Sequence, residues 1–82
     1  MLTIERKPDF IRKIKKIKHK KFKEKVISQV KKILDNPEIG KPMKHTRKGT
    51  REVYVKPYRI AYAYKKKDKT IIFLEIYHKD EQ

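Results

Sequence analysis

The sequence predicts an α+β domain: a short N-terminal strand, a two-helix hairpin, then an antiparallel three-strand meander, with the helices packed on one face of the sheet. Two observations carry this. Residues 8–34 show apolar positions at helical spacing, broken once near the middle. Residues 50–77 then show three runs rich in Val, Ile, Tyr and Phe, separated by two short turns. Eighty-two residues make one domain, 1–82. A chain of this size buries only roughly 60–65% of its unfolded surface, so every apolar stripe is needed for the core.

"MLTIER" is the first strand, with Leu2 and Ile4 on one side. Pro8 and Asp9 start the first helix: proline suits the first helical turn and aspartate favours the positive end of the helix dipole. Phe10, Ile14 and Ile17 follow at i, i+4, i+7. "HKK" at 19–21 interrupts the pattern, which resumes at Phe22, Val26, Val30, Ile33 and Leu34. "DNP" at 35–37 stops the second helix, because the residue before a proline is pushed out of helical geometry. "NPEIGKPMKHTRKG" holds both glycines and reads as a basic loop. In "TREVYV", Val53 and Val55 alternate against Glu52 and Tyr54. "KP" and "KKKDK" are turns. The closing "TIIFLEIY" is almost continuously apolar, which predicts a central strand covered on both faces.

Charge narrows the function. Twenty-five Lys and Arg against ten Asp and Glu give +15. Such an imbalance repels itself, and a polyanion such as RNA relieves it by phosphate contacts and counterion release. An acidic protein partner is the second candidate, and a lysine-rich, heat-adapted surface is the bland one. There is no cysteine, no glycine-rich phosphate loop and no clustered His/Asp/Glu ligand set, so no metal or other cofactor is expected. The N-terminus lacks a signal peptide's apolar centre and no run is long enough to span a membrane, so a cytoplasmic protein is expected. The lysine-rich helices lack tryptophan and their stripes are needed inside, which argues against a membrane-surface role.

The middle run "YRIAYAY" places Tyr58, Ile60, Tyr62 and Tyr64 on one face and Arg59, Ala61 and Ala63 on the other. The bulky face suits the helices. The other is then a concave open face with Arg59 at its floor. Strict alternation of the last strand sets Ile71, Phe73, Glu75, Tyr77 and Lys79 against Ile72, Leu74, Ile76 and His78. If the second set packs on the helices, Tyr77 and Lys79 join Arg59. Two readings of Arg59 stand: a phosphate-facing cation, or a structural partner of Glu75.

The ordered set "LDNPEIGKPMK", "YRIAYAY" and "IIFLEIYHK" resembles the RelE/ParE superfamily of toxins from toxin–antitoxin modules, and within it the RelE-like messenger-RNA endonucleases. The resemblance covers nearly the whole chain. It implies a metal-independent endoribonuclease that enters the ribosome and cuts messages by attack of a ribose 2′-hydroxyl on the adjacent phosphate, inhibiting translation. Carried over by position, Arg59 holds the scissile phosphate and Lys79 stands where many relatives have arginine. His78 is a proton-transfer candidate. The tyrosine that many relatives place further on has no counterpart before Gln82, and Tyr77 is its nearest substitute. Lys41, Lys44, Arg47, Lys48, Arg51 and Lys56 are the expected RNA-binding cations. The resemblance also implies a RelB-like antitoxin, acidic and amphipathic, as partner. Two other functions remain open: a ParE-like gyrase-inhibiting toxin, and a non-catalytic RNA- or ribosome-binding domain.

Overall fold

A computed structural model of the chain describes residues 2–43, 49–78 and 80. The order is β1 (Thr3–Arg6), α1 (Pro8–Lys16), α2 (Lys20–Asp35), β2 (Lys41–Pro42), β3 (Thr50–Val55), β4 (Tyr58–Lys65) and β5 (Thr70–His78). The strands form one sheet in the order β1-β5-β4-β3-β2. β3, β4 and β5 are the expected antiparallel meander, β1 adds in parallel to β5, and β2 adds antiparallel to β3.

The helices begin where local chemistry allows. Pro8 occupies the first turn of α1, and Asp9 beside it binds Arg12 at 2.8 Å. The break between helices falls at 17–19, slightly earlier than the lysines suggest. The cause is His19, whose Nδ1 accepts the Phe22 N–H at 3.3 Å and caps α2. Both helices lay their apolar stripes on the same sheet face. Phe10, Val26 and Ile33 meet Val55, Ile60, Tyr62, Ile71, Phe73 and Ile76 in one buried cluster. The Phe10 and Phe73 rings stack at 5.1 Å.

One expectation fails here. β5 is internal but not the middle strand, a place held by β4, and the described helices cover only one of its faces. Its unbroken apolar run has a different cause. Tyr62 pairs with Phe73 but Ala61 pairs with Glu75, so Leu74 is an extra residue, a β-bulge. The bulge switches the alternation. Ile71 and Phe73 before it, and Ile76 and His78 after it, share the helix face, while Ile72, Glu75 and Tyr77 share the other. Strict alternation had wrongly put Ile71 and Phe73 on the open face.

The loop before β2 is tied down from below. The Tyr62 side chain is fully buried; its hydroxyl donates to the Pro37 carbonyl at 2.8 Å and accepts the Gly40 N–H at 2.9 Å. A Cβ on residue 40 would lie 2.5 Å from that hydroxyl and 3.0 Å from the Arg51 Cβ, so the close approach demands glycine. Burial raises the Tyr62 pKa above its ordinary 10.0, and the Gly40 N–H and the Arg51 charge partly oppose that rise.

Candidate functional site

The open face of the sheet is built by register. β4 sends Arg59, Ala61 and Ala63 to it. Arg59 pairs with Tyr54 on β3 and Tyr77 on β5, and Ala61 pairs with Glu52 and Glu75. The two alanines leave the floor low, and paired residues share a face. The bulge at Leu74 makes this site possible, because it returns Tyr77 to the same side as Arg59.

Four side chains form a connected group. Glu52 is the deepest, with its side chain only 8% exposed. One carboxylate oxygen accepts the Tyr77 hydroxyl at 2.7 Å, and the other faces an Arg59 guanidinium nitrogen at 3.4 Å. Arg59 is 24% exposed and lies over the Tyr54 ring, 4.7 Å from its centroid. Tyr77 is buried, whereas Tyr54 is half exposed. The carboxylate thus holds the cation from below and the ring holds it from the side, leaving the guanidinium its outward edge. The partner weighed from sequence, Glu75, is replaced by Glu52. Sequence pattern had already put Glu52 on the outward side of its strand, but the choice between the two glutamates depends on inter-strand register.

The other expected site residues divide. Lys41 sits opposite Glu52 on β2, which brings it to the open face at the sheet edge. Lys56 is exposed at the β3–β4 turn beside Pro57. Arg51 lies on the opposite face and donates to the Glu38 and Gly40 carbonyls at 3.0 and 2.8 Å, so its guanidinium ties down its own loop. His78 also lies across the sheet from Arg59. Its ring meets Tyr58 edge-on at 5.3 Å and its Nδ1 accepts the Asp80 N–H at 3.2 Å. Arg59 and Tyr77 therefore converge, and His78 does not join them. Lys44, His45, Arg47, Lys48 and Lys79 lie outside the described residues.

Among the described residues the face is less basic than the whole chain. Register brings Glu5, Glu52 and Glu75 to it, three of the six glutamates. Lysine is concentrated instead on the helices and turns. A cleft of about 550 Å³ on the helix side shows this, with Lys13, Lys16, Lys18 and His19 around a floor that includes Phe22 and Ile76. Among the described residues no His/Asp/Glu group is arranged to hold a metal ion, and no helix is long and apolar enough to cross a membrane.

Comparison with known proteins decides the family. The model of the ParE toxin of type II toxin–antitoxin systems matches residues 4–82. The chain belongs to the ParE toxin family. Solved structures agree on the fold. The toxin–antitoxin complex RelBE2 from Mycobacterium tuberculosis superposes with a TM-score of 0.79 at 20% identity, covering 95% of this chain and 98% of that one. A YoeB/ParE toxin from Agrobacterium tumefaciens gives 0.82 at 11% identity, covering 94% and 98%. The archaeal RelE–RelB complex from Pyrococcus horikoshii gives 0.74 at 15%, covering 99% and 98%. No curated protein matches the sequence. The expected α+β toxin fold is thus confirmed, and this ParE-family chain is a toxin of a type II toxin–antitoxin system.

Proposed function

We propose that this toxin inhibits translation by cutting messenger RNA on the ribosome, without a metal, through attack of a ribose 2′-hydroxyl on the adjacent phosphate. The observation that carries the reading is the mounting of Arg59: a partly exposed guanidinium fixed from beneath by Glu52 and from the side by Tyr54. Such a cation is set before the reaction and stabilises negative charge as it builds on the phosphate. Tyr77, whose hydroxyl donates to Glu52, is the proton-bearing group of that network. Lys79, two residues further along the sequence, is the candidate for a second positive charge. Lys41 and Lys56 flank the face and attract RNA non-specifically. Because the proposed target is messenger RNA on the translating ribosome, the action lies in the cytoplasm. An antitoxin covers the basic surface in the resting complex. Support for such a partner comes from the similar toxins whose structures are toxin–antitoxin complexes.

The test is message cleavage mapped on ribosomes after addition of the purified toxin, with Arg59→Ala beside it. Cleavage that vanishes with the substitution supports the reading; intact messages with the wild-type chain defeat it. A second reading, inhibition of DNA gyrase, is favoured by the ParE family match. Gyrase-dependent DNA breaks, with messages untouched, are its signature.

A further inference from the structure

A recess of about 320 Å³ opens at the β3–β4 end of the sheet, lined by Tyr54, Lys56, Pro57, Tyr58 and Arg59. Its lining sets aromatic and proline walls beside two cations. Tyr54 is one of few large apolar side chains left outside the core among the described residues, 50% exposed. β2 pairs with β3 at Arg51 and Glu52, and among the described residues no strand pairs with the stretch of that edge that carries Tyr54. One side of the Tyr54 ring carries Arg59. The small end of the roughly 300–1,000 Å³ range of ligand sites suits a single planar ring.

We propose that this recess is a nucleobase subsite for single-stranded RNA: one unstacked base packs against Tyr54 and Pro57, while its phosphate lies between Arg59 and Lys56. Stacking on an aromatic ring accepts any base, and the adjacent cations meet the backbone, which is how single strands are held without sequence readout. The inference rests on the RNA-directed reading above and adds to it a site that grips the base.

The test compares a ribotrinucleotide with the same trinucleotide lacking its middle base, which leaves the phosphate charge unchanged. The wild-type chain is expected to bind the intact trinucleotide about tenfold more tightly, a typical effect of one stacked base. Tyr54→Leu should erase the difference. Tyr54→Trp, which introduces the chain's sole tryptophan, should restore it and show fluorescence quenching on binding. Equal affinity for the two trinucleotides, no binding of either, or a preference that survives Tyr54→Leu overturns the proposal. The measurement uses no ribosomes, so the two readings fail separately. A chain that prefers the intact base but cuts no message keeps the subsite and loses the nuclease. One that cuts messages and ignores the base does the reverse.

Discussion

Along β4 the side chains of Tyr58, Ile60, Tyr62 and Tyr64 pass under the helices, and those of Arg59, Ala61 and Ala63 face the other way. The two faces are made by the same strands but are held differently. The helix face is a packed apolar cluster in which Ile33, Ile60, Tyr62 and Ile71 are fully buried. The open face is a chain of polar contacts, Tyr77 to Glu52 to Arg59 to Tyr54, most of it set by which residue stands opposite which. Packing tolerates exchange among apolar residues of similar volume. A polar network does not, because each member leaves its partner unsatisfied when removed. Damage to the first face should therefore appear as lost stability, and damage to the second chiefly as lost activity.

The largest expected effect lies on the helix face. Phe73→Ala empties a site between the Phe10 and Tyr62 rings and should cost about 3–5 kcal/mol. Urea unfolding measures it; a loss under 1 kcal/mol would mean that the stacked rings are not the centre of the core. Next is Gly40→Ala, which drives a Cβ into the Tyr62 hydroxyl. It should remove about 1–3 kcal/mol by breaking the two hydrogen bonds there. An unchanged melting temperature would show that the loop shifts freely.

Tyr62 also makes the helix face sensitive to alkali. Its folded pKa is raised above the unfolded value of 10.0. Between the two values the folded state retains a proton that the unfolded state has lost, so stability falls as pH rises past 10. Tyr62→Phe removes that slope while weakening the protein at neutral pH. Parallel stability curves for the two proteins from pH 8 to 11 would contradict the assignment. The smallest effect belongs to neither face: Asp9→Asn breaks an ion pair whose partners are 62% and 70% exposed, and the expected change is within about 0.5 kcal/mol.

The helix face was largely legible in the sequence, because helical and strand periods are local properties. Phe10, Ile14, Val26 and Ile33 announce their own orientation. So do Ile60 and Tyr62. The open face was half legible. Arg59 stood out as a cation among tyrosines and alanines, and Glu52 alternated against valines. Their pairing depended on register between strands, and nothing in "IIFLEI" marks Leu74 as the residue that bulges, since all its neighbours but Glu75 are apolar. β2 was missed for a related reason: two residues, one of them proline, carry no strand period. Arg51 was counted among the RNA-binding cations because its carbonyl partners, on Glu38 and Gly40, belong to a loop whose path only the tertiary structure fixes.

Arg59→Ala tests the central claim most directly, with ribosomal message cleavage measured per folded molecule and melting measured on the same sample. The open-face account predicts a modest loss of stability, since Glu52 loses its cation but keeps the Tyr77 hydroxyl. It predicts a fall in cleavage on the order of 100-fold, the usual cost of removing one donor that stabilises developing charge. A variant that melts much earlier, yet cuts at the wild-type rate in its folded fraction, would show instead that Arg59 serves only to neutralise a buried carboxylate.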